Sequence, residues 1–273
     1  WHVSRREHHM PCLTMGVVNA RGEKVLVAEG RDEVTMSYRS PFEEGDSVFF
    51  ECDEPGTLLM VRACDYAEPV VALYAGGTYT FPIPFGEAVR PYGNIAFLGS
   101  RHWGYARTLS ARERQNYRNL AENPFDFPGN KVLYPHAETN VTTTEQYFAR
   151  NAIDGVFETS RHGSWPHASW GINRQDDAWL RLEFGRTVSF DRVVLYLRAE
   201  FPHDSWWRNA TLVTSRDDSW TLNLVKSGRA QAFDLGWHEA EWVELRNLVK
   251  GEAESPWPAL SQIEIWGTES RSV

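Results

Sequence analysis

The feature that most constrains the fold of this chain is a succession of short β-strand patterns with almost no helical periodicity between them. In the first half, turn residues separate runs of β-branched and aromatic residues that have the length of strands. These runs cover residues 24–29, 33–38, 47–52, 57–63, 70–75 and 78–84. Because no helices intervene, the pattern predicts a β-sandwich rather than an α/β sheet.

The second half continues the same pattern. Its predicted strands cover residues 178–184, 192–198, 210–215, 220–225, 230–235, 241–248 and 260–267. In the first of them, Leu180, Leu182 and Phe184 alternate with charged residues, which is the period of a strand with one buried face. The whole chain is therefore predicted to be all-β, with two β-sandwich domains.

Two glycines and one long segment interrupt the strand pattern of the first half. Gly76 and Gly77 stand between two predicted strands. Glycine supplies the positive φ that a two-residue hairpin turn requires, so we expect a hairpin there. Residues 83–105 are spaced by Gly and Pro and are too long for an ordinary connection, which indicates a functional loop.

One helix and the segment behind it mark the predicted domain boundary. Ser110 and Glu113 form the Ser-x-x-Glu pattern of a capping box, which predicts a short helix over about 110–122. Residues 123–130 are rich in Pro, Gly and Asn and are interpreted as a linker. The predicted domains are 1–130 and 131–273.

Composition limits the partners of the chain. With 28 Lys and Arg against 37 Asp and Glu, the net charge is −9, and a field of that sign repels the phosphate backbone of nucleic acids. The same charge does not exclude a neutral glycan, since sugar hydroxyls are bound through hydrogen bonds and stacking. No run of roughly 18 to 20 uncharged apolar residues is present, so we expect no membrane span.

The cysteines and the N-terminal segment bear on the cellular compartment. Three cysteines, Cys12, Cys52 and Cys64, cannot all pair within one chain. Cys52 and Cys64 lie in neighbouring predicted strands, where they either meet across a hairpin or stay reduced and buried. Residues 1–10 lack the apolar segment of a signal peptide, which favours a cytoplasmic location. The chain does not begin with Met, so its natural start is left open.

Tryptophan is concentrated in the second half. Ten of the 12 tryptophans lie between Trp165 and Trp266, which is more than the core of one sandwich accommodates. Trp179, Trp220 and Trp266 flank apolar strand residues and are predicted to pack in the core. The remaining rings need another explanation.

Two polar loops carry four of these tryptophans. They are Trp165 and Trp170 in residues 162–177, and Trp206 and Trp207 in residues 199–209. A pyranose ring has an apolar face that an exposed aromatic plane covers, and hydroxyls that His, Asn, Asp and Arg side chains bind. The loops therefore predict a sugar-binding site. The alternative is that the rings clamp the loops onto the sandwich, with His203 and Asp204 bonding each other.

Five short motifs of the second half occur in the order of a known family. They are NAIDG at 151–155, Trp170 followed by WLRLEFG at 179–185, RVVLYLR at 192–198, TSRDDSW at 214–220 and ALSQIEIWG at 259–267. This half resembles the galactose-binding-like jelly roll, and in particular the coagulation factor V/VIII type C (discoidin) domains and the family 32 carbohydrate-binding modules. The first half is loosely similar to ancillary sandwich domains of some glycoside-processing enzymes.

The resemblance implies a lectin-like, non-catalytic module that binds a glycan through loops at one end of the sandwich. Arg198 ends the strand on which family members often carry a ligand-binding arginine, and Trp206 or Trp207 is expected to be the stacking platform. The expected binding residues are His162, Trp165, His167, Trp170, Arg174, Arg198, His203, Asp204, Trp206 and Trp207.

Many members of this family also hold a structural calcium ion near the Asp-Gly turn. Asp154 and Thr159 are the oxygen ligands that the resemblance implies here, while Val156 and Gln262 replace residues that are acidic in the family. Ca²⁺ takes roughly 6–8 oxygen ligands and gains affinity from their charge, so these replacements weaken the implied site. The sequence leaves calcium binding open.

Two other functional classes remain as alternatives. One is a glycoside-processing enzyme that uses the loop carboxylates Glu200 and Asp204, or Asp176 and Asp177. The other is a discoidin-like module that binds protein or lipid, although the polar loops favour sugar. No zinc-protease, nucleophile-elbow, P-loop or Cys-x-x-Cys motif is present. The sequence favours a binding module over an enzyme, and it specifies neither the sugar nor the oligomeric state.

Overall fold

The computed structural model describes residues 10–159, 163, 165–199 and 204–270. Every strand pairing among these residues is antiparallel. The prediction of an all-β protein is therefore confirmed. Within the described residues, no helix has the length and apolar character that crossing a membrane requires.

The first half is a sandwich of two antiparallel sheets. The strands up to residue 134 are β1 (Cys12–Val18), β2 (Lys24–Arg31), β3 (Glu33–Tyr38), β4 (Ser47–Cys52), β5 (Thr57–Arg62), β6 (Val70–Tyr74), β7 (Tyr79–Pro82), β8 (His102–Thr108), β9 (Arg118–Asn119) and β10 (Leu133–Tyr134). One sheet has the order β2-β1-β4-β7 and the other has the order β10-β6-β5-β8-β3. Met15 and Phe50 from the first sheet pack with Val61 and Ala106 from the second in a common core.

The connections of this sandwich differ from the sequence expectations. Gly76 and Gly77 have φ values of 115° and 92°, but they connect β6 of one sheet to β7 of the other. The expected hairpin is wrong, because the two strands bury their apolar faces in the shared core by pairing with different neighbours. Two strands were also missed, since β1 was not predicted and β8 begins inside the segment 83–105 that was interpreted as a loop.

The three cysteines are free thiols. Cys52 ends β4 and Cys64 follows β5, and these strands belong to different sheets. The hairpin that would bring the two thiols together therefore does not form. Cys52 and Cys64 are buried, as the second alternative predicted, and Cys12 is exposed.

The helical content is small. α1 (Ala111–Arg114) begins at the predicted capping box, where the Ser110 hydroxyl accepts from the Glu113 N–H and the Glu113 carboxylate accepts from the Ser110 N–H. The helix is shorter than the predicted 110–122, because the chain turns away to form β9 and pairs with the last strand. The 3₁₀ helices of the described residues are Gly86–Val89, Glu145–Tyr147 and Ala149–Ala152.

The second half is a continuous antiparallel sheet folded around its own core. Its strands are β11 (His136–Thr139), β12 (Trp170–Gly171), β13 (Leu180–Leu197), β14 (Trp207–Thr214), β15 (Ser219–Asn223), β16 (Gln231–Lys250) and β17 (Ala259–Glu269). The order is β12-β17-β13-β16-β14-β15, with β11 also paired to β13 and β9 to β17. The predicted strands at 178–184 and 192–198 are parts of β13. Register shifts against β16 let this long strand bend while it stays paired.

The chain passes between the two halves more than once. β9 joins the sheet of the second half, and β10 then returns to pair with β6 in the first half. Between them, the buried Asp126 carboxylate accepts hydrogen bonds from His136 Nδ1 at 2.8 Å and from the Ala137 N–H at 2.9 Å. The predicted boundary near residue 130 lies inside this exchange.

Candidate functional site

Four segments of the second half meet at one end of its sheet, where β13 ends and β17 begins. The Arg198 N–H donates to the Ala259 carbonyl at 3.0 Å, and Gly171 pairs with the same Ala259 across β12 and β17. Tyr147 packs against Gly171 so closely that a Cβ at this glycine would lie 3.2 Å from the tyrosine ring. The fourth segment begins at Trp257, just before β17.

These segments enclose a cavity of about 520 Å³, which we call the Trp257 cavity. Its lining residues are Thr142, Thr143, Thr144, Tyr147, Gly171, Ile172, Asn173, Arg198, Trp257, Pro258 and Ala259. The volume is that of a small-molecule site, and the lining combines apolar surface with a few polar groups, as such sites do. None of the lining residues in the described part of the chain is Asp or Glu.

Trp257 forms an aromatic wall of this cavity. Its side chain is 44% exposed. The Arg174 guanidinium lies 4.1 Å from the centre of the indole ring, so it covers one face by a cation–π contact. Asn173 and Arg174 both have positive φ, and the Asn173 amide donates to the Thr142 carbonyl at 3.3 Å. This hydrogen bond holds the turn that places Arg174 on the indole.

Arg198 is the buried cation of the site. Burial lowers the pKa of its guanidinium, and a hydrogen bond with the Tyr147 hydroxyl opposes that shift. The group nevertheless stays charged, since an arginine does not lose its proton in a protein. Arg198 also lines a second cavity of about 220 Å³, together with Phe157, Glu158, Thr159 and Arg229. It is therefore the wall between two cavities.

The prediction that Trp170 and Trp207 lie at the surface is wrong. Trp170 and Trp207 are fully buried, with their ring centres 6.0 Å apart in the core of the second half. The Trp170 Nε1–H donates to the Thr139 hydroxyl at 3.2 Å. Both rings stand on strands with their side chains turned inward, so neither can stack on a ligand.

Three other predicted residues of the two loops, His167, Asp204 and Trp206, do not line the Trp257 cavity. His167 is buried, with Nε2 2.7 Å from the Gln146 side-chain oxygen. Asp204 forms an ion pair with Lys226 at 3.7 Å. Trp206 is half-buried, and its Nε1–H donates to the Glu252 carbonyl at 3.4 Å. His162, His203 and Glu200 lie outside the described residues, while Asp176 and Asp177 are exposed and line none of these cavities.

Trp165 lies between the two halves of the protein. It lines a cavity of about 200 Å³ together with Tyr66, Tyr92, Glu122, Arg150 and Asp154. A Cβ added at Gly93 of the first half would lie 3.6 Å from its indole. Trp165 is therefore a contact residue between the halves, and the cavity that it lines is not one of the two that Arg198 lines.

The Asp154 turn carries a cation of its own. The buried Arg150 guanidinium lies 3.9 Å from Asp154 Oδ2, and Asp154 Oδ1 accepts from the Val156 N–H at 2.9 Å. Burial raises the pKa of Asp154 to about 7, and the charge of Arg150 opposes that shift. A guanidinium beside the carboxylate repels a second cation.

Two further side-chain oxygens near this turn are also engaged. Gln262 is uncharged, and its Oε1 accepts from the Gly155 N–H at 3.3 Å. The Thr159 hydroxyl lies 3.5 Å from the Ser261 hydroxyl. Since Ca²⁺ requires roughly 6–8 oxygen ligands, several of them charged, the residues described here do not fit the calcium site that the resemblance implies.

A further aromatic surface lies on the outer face of the sheet of the second half. Tyr117 and Trp266 stack with ring centres 5.8 Å apart, and Trp237 meets Tyr117 edge-on at 6.3 Å. Tyr117 and Trp266 line an open groove of about 340 Å³ with Arg192 and Tyr196. Trp266, which was predicted to pack in the core, therefore faces this groove and is only half-buried.

Of the residues at the Trp257 cavity, sequence reasoning named Arg174 and Arg198 but not Trp257, Tyr147 or Asn173. A signal for Trp257 is present, because proline stands on both sides of it directly before β17. Proline restricts the backbone and cannot donate to a sheet, so this ring is fixed outside the ladder. The Tyr147 and Asn173 contributions depend on which loops meet, and no local pattern reports that.

No protein-family model matches the sequence, and no curated protein is significantly similar to it. Solved structures do match. Chitosan-binding module 1 of a chitosanase/glucanase from Paenibacillus sp. IK-5 is 19% identical with a TM-score of 0.40, over 55% of this chain and 99% of that chain. A Streptococcus pneumoniae fucose binding module, SpX-3, is 16% identical with a TM-score of 0.40, over 56% and 99%. The family 32 carbohydrate-binding module of Clostridium perfringens NanJ, solved with galactose, is 12% identical with a TM-score of 0.37, over 48% and 91%.

Proposed function

We propose that the protein binds carbohydrate in the Trp257 cavity, through loops at one end of the sheet of the second half. The observation that carries the proposal is the joining, in one open cavity, of an exposed indole with the Arg198 guanidinium and the Asn173 amide. A sugar ring offers an apolar face and a rim of hydroxyls, and this cavity offers a partner for each.

Each lining group has a role that follows from its chemistry. Trp257 covers the apolar C–H face of a pyranose. The Arg198 guanidinium, which only donates hydrogen bonds, binds hydroxyl or ring oxygens, whereas the Asn173 amide both donates and accepts. The apolar floor, which includes Ile172 and Pro258, displaces water from beneath the ring.

The charge of the site restricts the class of sugar. Arg198 lines the cavity, Arg174 lies on its indole wall, and the lining residues that the structure describes include no carboxylate. Among the described residues, a protonated amino sugar therefore meets a guanidinium and no counter-ion. We expect neutral or acidic glycans to bind and glucosamine oligomers to bind more weakly than their N-acetylated forms.

A matched pair of tryptophan variants tests the proposal. Trp103 is as exposed as Trp257, at 44%, and it also carries an arginine over its ring, with Arg62 at 4.6 Å. Screening the full chain on a glycan array identifies a ligand. Trp257→Ala should then weaken its binding about tenfold, the equivalent of roughly 1.4 kcal/mol, while Trp103→Ala should leave the affinity unchanged.

Two results would contradict the proposal. One is a folded wild-type chain that binds no glycan on the array. The other is an equal loss of affinity in the two tryptophan variants, or no loss in either. Asn173→Gly provides an independent check and should also weaken binding, because glycine removes this exposed amide and tolerates the positive φ of the position.

A further inference from the structure

A cluster of three side chains of the first half lies where β5 ends and β8 begins. The two strands are neighbours in the five-stranded sheet, with Arg62 paired to Tyr105. Beyond this pair, side-chain atoms of Cys64, Asp65 and His102 all lie within 4.8 Å of one another. Gly104 makes the approach possible, because a Cβ there would lie 2.8 Å from the Ala63 carbonyl oxygen.

The three groups converge on one carboxylate oxygen. Asp65 Oδ1 lies 3.2 Å from Cys64 Sγ and 3.4 Å from His102 Nδ1. The other ring nitrogen, His102 Nε2, lies 3.2 Å from the Gly99 carbonyl oxygen. Cys64 and His102 are buried, whereas the Asp65 side chain is 29% exposed. Solvent therefore reaches the cluster from the Asp65 side.

A neutral His102 cannot satisfy both of its neighbours. A neutral imidazole has one N–H donor and one lone pair, yet each ring nitrogen of His102 faces an oxygen acceptor, Asp65 Oδ1 or Gly99 O. If Nε2 donates to Gly99, the Nδ1 lone pair points at a carboxylate. The arrangement is stable when a cation lies between the Nδ1 lone pair and the Asp65 carboxylate. Either a second proton on the imidazole or a metal ion provides that cation.

We propose that Cys64, Asp65 and His102 bind a zinc ion. Thiolate, imidazole and carboxylate are the ligands of protein zinc sites, and the thiolate disfavours Mg²⁺ and Ca²⁺. Zinc–ligand bonds of about 2.0–2.3 Å in a tetrahedron place neighbouring ligand atoms roughly 3.3–3.5 Å apart. The 3.2 Å and 3.4 Å distances from Asp65 Oδ1 are close to that spacing, and the three ligand atoms all lie within 4.8 Å of one another. Water supplies the fourth ligand from the exposed side of Asp65.

The surroundings hold the histidine in the orientation that the ion requires. The Phe42 ring stacks on His102 with centres 4.2 Å apart, and Tyr38 is the cross-strand partner of His102 in β3. Donation from Nε2–H to the Gly99 carbonyl selects the tautomer whose lone pair is on Nδ1. A backbone carbonyl on the far nitrogen is the usual outer partner of a zinc-binding histidine.

Cobalt substitution in the full chain tests the site. The chain is stripped of metal with a chelator and titrated with Co²⁺, which gives visible bands and a thiolate charge-transfer band when a cysteine binds it. We expect these bands to saturate at one equivalent per chain. Zn²⁺ should then abolish them, since it binds nitrogen and sulfur sites more tightly than Co²⁺.

Matched variants identify the ligands. Cys52→Ser removes another buried thiol of the same core and should keep every band, whereas Cys64→Ser should lose the charge-transfer band. Asp65→Asn changes a partly exposed side chain and should preserve the fold. It should lower the metal affinity by more than the roughly 10- to 100-fold that loss of an outer partner costs.

Three outcomes overturn the proposal. The first is a folded wild-type chain without cobalt bands, in which case the second proton alone satisfies His102. The second is a charge-transfer band that persists in Cys64→Ser. The third, which decides the matter if Cys64→Ser does not fold, is an unchanged affinity in Asp65→Asn.

Discussion

At the scale of single residues, a tryptophan's surroundings decide its role. Trp170 stands among His, Ser and Asn, which favoured a loop. His167, Ala168 and Ser169 are buried together with Trp170, so burial in this segment does not follow the period of a strand, and the sequence pattern did not report it. Trp207 is the first residue of β14. A register shift between Trp207 and Asn209 breaks the period, so no local pattern predicts that this ring turns inward.

Arg150 leads to a prediction about calcium at the same scale. Because its guanidinium already neutralises Asp154, we expect Ca²⁺ and the calcium chelator EGTA to leave the Tm of the wild-type protein unchanged. Arg150→Met removes the guanidinium and the hydrogen bonds that it donates to Asn151 Oδ1 and the Pro124 carbonyl. In urea unfolding above about pH 7, where Asp154 is ionised in the wild type, it should destabilise the protein by roughly 3–5 kcal/mol.

The double variant provides the control for this prediction. Asp154→Asn removes the charge that Arg150→Met leaves unpaired, so the combination should recover part of the lost stability. A wild-type Tm that rises on addition of Ca²⁺ would show that the ion binds at this turn after all.

At the scale of elements, most strands were predictable and most connections were not. β2 to β7 lie within two residues of the predicted runs, because each has a complete pattern of its own. The two predicted strands of β13 were separated at Gly185, whose φ of 67° resembles a turn. The strand continues through it because β16 stays paired on both sides of the shift, and pairing is a property of two strands rather than one.

The junction between the elements predicts how stability depends on pH. Burial alone would lower the pKa of His136, but its hydrogen bond with Asp126 and the charges of Asp126, Glu138 and Glu183 outweigh burial and raise it. The folded state therefore holds this proton more tightly than the unfolded state. Its contribution to stability is complete below about pH 6.5 and is lost as the pH rises through the folded pKa.

Urea unfolding from about pH 6 to about pH 9 measures this loss, with a slope of at most about 1.4 kcal/mol per pH unit from one proton. His136→Gln should be less stable at the acid end and should show a flatter profile. Identical slopes for the wild type and the variant would exclude His136 as the source of the pH dependence.

At the scale of the whole molecule, the strand pattern predicted the all-β class. The order of the motifs indicated the resemblance of the second half to the galactose-binding-like jelly roll. The Trp257 cavity was only partly predictable, since its wall is built from residues as far apart in the chain as Thr142, Arg198 and Trp257. Arg198 was named because the resemblance implies a ligand-binding arginine at the end of its strand. Its neighbours could not be, because the cavity exists only after the four segments have met.

The exchange of strands between the halves predicts how fragments behave. A fragment of residues 131–273 lacks β9 and the Asp126 partner of His136, whereas a fragment that begins at residue 110 keeps both. We expect the shorter fragment to have the lower Tm in thermal unfolding. Equal Tm values for the two fragments would show that residues 110–130 do not stabilise the second half.

The short strand β9 also determines where the second half can be cut for fusion to another protein. It shields part of the outer rim of β17, and an uncovered rim is a template on which a foreign chain can add itself. A fusion protein that begins at the predicted linker would expose this edge of β17 to other copies of itself. The resulting aggregation would interfere with any measurement of what the loops at the other end bind. The shortest fragment that keeps this edge covered therefore starts before Arg118.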